Sequence, residues 1–281
     1  MTGSKKTIDF VVNVIIHLVL ISALIVTLVP LLTVVITSFR SEADLSRGPF
    51  SLPRDIRIFG NYIDAWERGR FGIYLKNSVY LTVVSVIGSL MVSTLAGYSF
   101  AKLHYPGRDI CYYSLLISMM IPFQASMLPL YFILMNLKML NSLNGVAMVQ
   151  IAGSIGFNVM MMRSFFVSIP ESMIEAARLD GCTEPKILFH IILPNTFPAW
   201  ASLIVFSTLG SWNNLIGPMM FIFNENKYPI PYALYAFQSS FLTRYDLMSA
   251  AMLISIIPIF IVYIIFQRNF TTNLLGGAIK G

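Results

Sequence analysis

Charge is what this sequence has least of. Asp, Glu, Lys and Arg make up 11% of its 281 residues, against roughly a quarter in an ordinary soluble domain. Six stretches contain none: 10–37, 77–101, 110–135, 143–162, 197–223 and 247–267. With a hydrophobic share of 56%, this composition excludes an ordinary soluble globular chain. Proton-coupled carriers use ionisable side chains within the membrane as relays, so charge-free runs argue against one. Sodium coupling through backbone carbonyls stays open. Cysteine and histidine are scarce too. Cys111 and Cys182 fall in segments of different depth, and His17, His104 and His190 are far apart without ligand-like spacing. Neither a disulfide nor a metal site nor a catalytic base is expected, and the cysteines read as small apolar fillers. No G-x-x-x-x-G-K-[ST] is present, since the closing GGAIKG has the wrong spacing and no hydroxyl residue after its lysine, and no serine sits in a G-x-S-x-G elbow. No catalytic residue and no cofactor is therefore expected. Energy for uphill movement would have to enter through another subunit.

What is present is apolar length. Each of the six runs is about 20 residues or longer, enough to cross a hydrocarbon core of ~30 Å at 1.5 Å per helical residue. The first follows Lys5 and Lys6 but is too long for a signal-peptide core and lacks a clean cleavage site, so it reads as a retained span. The expectation is an all-α integral membrane protein of six transmembrane helices, one domain over 1–281 with no appended soluble domain. The net charge of +6 is scattered through connecting segments, which suits membrane flanks rather than nucleic acid. An even number of spans puts both termini on one side. The terminal-side loops hold nine Lys and Arg and the opposite loops hold ten, so charge does not orient the chain.

The connections carry the remaining signals. Segment 38–76 contains Gly48, Pro49 and Pro53, with Tyr62, Trp66 and Phe71 as candidates for an interfacial aromatic belt. Pro122 and Pro129 predict a kink within the third span. Segment 224–247 is rich in aromatics and prolines, and reads equally as a contact loop for an external partner or as interfacial Tyr and Phe. The most informative stretch is 168–195. Ser168 and Glu171 have capping-box spacing, with Pro170 in the first turn. Gly181 can close the first helix, Thr183 can cap a second with Pro185 in its first turn, and Pro194 is expected to stop it. Ile187, Leu188, Ile191 and Ile192 form one apolar stripe, leaving Glu171, Glu175, Arg178 and Asp180 for water or a partner. From the residues alone this is either a docking elbow or an ordinary amphipathic interfacial loop.

The elbow resembles the EAA loop of ABC-importer permeases, a pattern of E-A-A, two residues, D-G and a later Leu-Pro. Glu175, Ala176, Ala177, Asp180, Gly181, Leu193 and Pro194 fall on it. Further resemblance comes from NYIDAW at 61–66, NSVYLT at 77–82, LAGYSFAKLHYPGRD at 95–109, IPFQASMLPLYF at 121–132, WNNLIGPMMF at 212–221 and GGAIKG at 276–281. Together they are most similar to the second, maltose-type permease of carbohydrate importers. Cys182 stands where Ala is usual and Leu188 where an aromatic is common, departures that touch local packing.

The resemblance implies a cytoplasmic helix–turn–helix coupling loop, 168–195, that docks on an ATP-hydrolysing subunit dimer. It implies a bacterial or archaeal cytoplasmic membrane, both termini inside, and 38–76, 136–142 and 224–247 facing an extracytoplasmic solute-binding protein. A second homologous permease, a carbohydrate substrate and surrounding lipid complete the implied partners. Glu175, Ala176, Ala177, Asp180, Gly181 and Pro194 become the coupling residues, and the tail is expected near the ATPase. Gln124, Trp212, Asn213 and Asn214 offer amides and an aromatic face to a sugar, or else hydrogen-bond between helices. Two other function classes stand beside this one: an ion-coupled secondary transporter working without an ATPase, and a membrane enzyme, which the missing catalytic constellation disfavours.

Overall fold

The computed structural model describes residues 2–48, 51–54, 59–240 and 244–278, with side chains omitted at 2–9, 237, 239–240 and 268–278. The described residues form helices and no strand. The chain packs as two units, one of 1–70 with 236–254 and one of 71–235 with 255–281.

In the first unit, α1 (Thr2–Ser38) holds Phe10–Ser38, an apolar length sufficient to cross a membrane. Its apolar side chains from Phe10 to Leu32 are exposed, as a lipid-facing helix requires. After it come a short α2 (Glu42–Leu45) and α3 (Gly60–Arg68). Ser41 and Asp44 cap α2 reciprocally. Asn61 Nδ2 donates to the carbonyls of Ser38 at 2.9 Å and Arg40 at 2.7 Å, and the Ser38 and Tyr62 hydroxyls bond at 2.8 Å. Pro49 lies outside the described residues. The aromatic belt is partly corrected: Trp66 is exposed, Tyr62 is tied to Ser38, and Phe71, in the other unit, is fully buried. Alternation of loop hydropathy cannot distinguish a ring at the headgroups from one under a helix.

The second unit is built on α4 (Phe71–Lys102) and α7 (Leu143–Val167). They approach closely at Gly97, where an added Cβ would stand 2.7 Å from Met162 Cβ. Small residues permit such backbone contact between membrane helices. Between them the expected third span is not one kinked helix but two, α5 (Arg108–Ser118) and α6 (Phe123–Asn136), bent by 103°. Pro122 forces its predecessor out of the helical region and so breaks the run, whereas Pro129 is accommodated within α6.

After α7 come α8 (Glu171–Leu179) and a continuous helical run made of α9 (Glu184–Lys186), a π-helical stretch at Ile187–Ile192 and α10 (Leu193–Asn195). The expected fifth span, 197–223, is also divided, into α11 (Phe197–Trp212) and α12 (Ile216–Phe221). Asn213 and Asn214 intervene, and Asn214 Oδ1 accepts the Gly217 N–H at 3.0 Å, starting the new helix. A 3₁₀ turn at Glu225–Lys227 and α13 (Ile230–Ser240) occupy the aromatic segment, where Tyr228 and Tyr232 pair at 3.9 Å between centroids. The last helix, α14 (Tyr245–Ala278), carries Pro258. By length and composition the described residues offer four uninterrupted candidate spans, or up to six if the α5–α6 pair and the pair of Glu184–Asn195 with Phe197–Trp212 each count as one. Residues 241–243 and 279–281 lie outside the described residues.

Candidate functional site

The polar stretch after α7 folds as an elbow. Its entry departs from the expected capping box. Ser168 is already the C-cap of α7, and its hydroxyl donates to Phe165 O at 2.7 Å. Pro170, in extended conformation, takes the N-cap of α8 instead. At the exit, Gly181 stands at φ +76°. Its N–H reaches Arg178 O and that of Cys182 reaches Ala177 O, both at 3.0 Å. This is the Schellman closure that a left-handed glycine permits. Cys182 then packs on the buried cluster that includes Ala177, whereas Cys111 is exposed and fills nothing within the chain. Thr183 holds the N-cap position of the second helix without a side-chain bond.

Pro194 does not stop that helix, which runs on to Asn195. Proline cannot donate to the carbonyl of residue 190, and its ring crowds that carbonyl. The wider π turns at 187–192 accommodate the mismatch. The bend of 80° comes after Asn195, at Thr196, which leads into α11.

Apolar and polar contacts together fasten the elbow. Ile174 and Ala177 of α8, with Ile187, Leu188 and Ile192 of the second helix, are buried against Val86, Leu90 and Tyr98 of α4, Met162 and Phe166 of α7, and Leu203 of α11. Each aliphatic side chain so covered contributes about 1.5–3 kcal/mol. Lys102, almost fully buried, donates to Ile169 O at 2.7 Å and pairs with Glu171 at 3.2 Å. Arg178 lies 3.9 Å from Glu171 and 2.8 Å from Glu184, whose other oxygen accepts the Tyr98 hydroxyl. The Arg178 guanidinium holds the Glu184 carboxyl below its ordinary pKa, so the bridge is charged at neutral pH.

The outer face is left open. Glu175, Ala176, Asp180 and Gly181 are exposed, and neither the Glu175 nor the Asp180 carboxylate makes a hydrogen bond or ion pair among the described residues. Leu179, at the tip, is 89% exposed. Of the other sequence-named residues, Pro194 is exposed and Ala177 is buried.

The four residues singled out for a substrate path separate. Gln124 and Asn213 are exposed. Trp212 is buried beside Tyr74 and Ile230, its Nε1 donating to Ser255 O at 3.2 Å. Asn214 lines a cavity of about 330 Å³ between α4, α7 and α11. Gln150 and Asn158, which composition alone had hidden within an apolar run, line it too. Their signal was spacing: Gln150, Ser154 and Asn158 recur every four residues and so share one face of α7. Gln150 Oε1 accepts from Ser85 at 2.8 Å and from Ser211 at 2.6 Å, and Asn158 Nδ2 donates to Ser207 at 3.3 Å.

Residues 89–275, which include the elbow and all of the cavity wall except Ser85, match the family model described as the binding-protein-dependent transport system inner membrane component. The chain belongs to that family. This permease is 31% identical to the diacetylchitobiose uptake system permease protein NgcG of Streptomyces coelicolor, over 94% of this chain and 88% of that protein. It is 33% identical to the arabinooligosaccharides transport system permease protein AraQ of Halalkalibacterium halodurans, over 90% and 91%. A chain in the crystal structure of a bacterial ABC transporter involved in import of the acidic polysaccharide alginate superposes with a TM-score of 0.80. That pair is 26% identical, covering 96% of the permease and 99% of the neighbour. The permease is thus a multi-pass membrane transport subunit rather than an enzyme.

Proposed function

We propose that this permease is one of two homologous membrane subunits of an importer that carries an oligosaccharide into the cell, with ATP hydrolysed on a dimer of separate subunits. The observation that carries the reading is the elbow: two short helices clamped to the bundle, with a nearly bare Leu179 and unpaired Glu175 and Asp180 turned outward. A water-facing leucine at a rigid tip suits a partner's cleft. Glu175 supplies a docking charge, while Ala176 and Gly181 keep the surface low enough for close approach. Asp180 adds a second outward charge, and Ala177 and Pro194 shape the elbow behind them.

The whole chain acts as one transmembrane domain of six crossings. Four are the uninterrupted helices, the third is the α5–α6 pair, and the fifth is α11 continued past its break by α12. At 16 residues, α11 alone spans roughly 24 Å, short of the ~30 Å core. The elbow side is cytoplasmic, with both termini and 102–109. Segments 38–76, 136–142 and 224–247 face a solute-binding protein outside. ATP-driven closure of the ATPase dimer draws the elbows together and rocks the bundles from inward- to outward-facing.

The carbohydrate assignment is supported by relatives named for diacetylchitobiose and arabinooligosaccharides and by the uncharged spans. Extraction in mild detergent followed by mass spectrometry of co-purifying chains tests the assembly. A second permease and a nucleotide-hydrolysing subunit are expected. Recovery of the chain alone, together with uptake in ATP-free proteoliposomes, would instead establish the secondary-transporter reading.

A further inference from the structure

The cavity between α4, α7 and α11 has a chemistry distinct from its surroundings. Of its sixteen lining residues, eight carry a hydroxyl or an amide, three are glycine and none is ionisable. Lipid-facing surfaces are apolar, and a neighbouring cavity lined by Val79, Leu90, Ile204 and Phe266 has that character. Two of the glycines leave room: a Cβ added at Gly153 or Gly210 would meet nothing within 4 Å. Phe157 and Phe206 stand edge to face at 6.3 Å and are both exposed, leaving aromatic surface at the wall. Two amide donors lack partners among the described residues. Gln150 Nε2 is buried without one, and Asn214 Nδ2 has none while its Oδ1 is held by Gly217.

We infer that this cavity is a seat for one neutral sugar ring of the transported chain, contributed by this subunit itself. The reading rests on the permease being an oligosaccharide importer. A sugar ring offers hydroxyl oxygens to the Gln150 and Asn214 amides and C–H faces to Phe157 or Phe206, a combination typical of small-molecule sites with few fixed polar groups. Its volume suits one ring. Seating costs little polar desolvation, because the hydroxyls of Ser85, Ser154 and Ser207, which bond Gln150 Oε1, Ile151 O and Asn158 Nδ2, can turn to the ligand. A uronate or phosphate would enter without any cation to receive it, and an unpaired charge in this medium is strongly disfavoured. The seat therefore selects neutral rings over acidic ones.

The test uses the intact transporter in cells, with uptake of diacetylchitobiose, arabinotriose and an alginate trisaccharide measured as KM and maximal rate. Gln150→Ala removes an amide from the wall, and should raise KM for the transported neutral sugar about tenfold, the weight of one hydrogen bond. Because Gln150 also ties α4 to α11, Gly210→Leu is the second variant. It fills the seat without touching that network, and should abolish uptake while the ATPase subunit still co-purifies. Wild-type KM and rate in both variants would overturn the seat while leaving the permease reading intact. Transport of the alginate trisaccharide alone would overturn its selectivity for neutral rings. An unassembled chain without any uptake would instead remove the permease reading on which the seat rests.

Discussion

Gly181 shows what a single residue can reveal. Its place after a short helix and before Thr183 predicted a left-handed closure, and φ is +76°. That conformation is local, so local sequence determines it. An L-residue there costs about 1–2 kcal/mol, and since a Cβ would meet nothing within 4 Å, the cost is conformational rather than a clash. Gly181→Val should leave the complex assembled but distort the elbow tip, so that uptake per ATP hydrolysed falls at least severalfold. An unchanged ratio at normal expression would remove Gly181 from the coupling role. Ser168 shows the opposite case. Its spacing to Glu171 matched a capping box, yet one hydroxyl cannot close the helix before and open the helix after, and the preceding turn holds it. Trp212 and Phe71 were illegible for a further reason. A pattern of residue types does not tell an aromatic that faces a path or interface from one buried beneath a helix.

At the scale of elements, α4 joins the two candidate sites. Ser85 lies on the cavity wall, and Tyr98, thirteen positions later, holds the elbow through Glu184. At 1.5 Å per residue the two are about 20 Å apart on one rigid rod. The close packing of Gly97 on Met162 ties that rod to α7, which carries Gln150 and Asn158. In the proposed mechanism this rod is the route by which motion of the elbow reaches the cavity. Removing one hydrogen bond should loosen this linkage: Tyr98→Phe deletes an interaction with a charged acceptor, worth about 1.5–3 kcal/mol. Reconstituted transporter carrying it should hydrolyse ATP with weaker dependence on substrate and binding protein. Full wild-type stimulation would show that the bridge does not transmit. The breaks were less legible than the helices. Pro122 foretold a disturbance but not a bend of 103°. Pro194 foretold a stop where the chain widens into π turns instead, which take up the missing donor and the crowded ring.

For the molecule as a whole, scarcity of charge outlined the spans, and the family motifs identified the elbow. Apolar runs mark where backbone must satisfy itself within lipid, so the four uninterrupted candidate spans could be read from them, whereas the third and fifth runs each break into two helices. Orientation could not, because nine basic residues against ten give no bias. The cavity could not either, since its wall is assembled from five helices, α4, α6, α7, α11 and α12, spread along the sequence. The central claim is that the outward face of the elbow meets an ATP-hydrolysing subunit in the cytoplasm. Site-directed cross-linking in inverted membrane vesicles tests it most directly, with Leu179→Cys introduced after Cys111→Ala and Cys182→Ala remove the native thiols. A maleimide–benzophenone reagent attached to that thiol and photoactivated, so that its ketone inserts into a nearby C–H bond, should yield an adduct of the permease with the nucleotide-hydrolysing subunit, at a yield that changes when ATP is added. Labelling of that thiol from the extracytoplasmic side, with no adduct in inverted vesicles, would contradict the account.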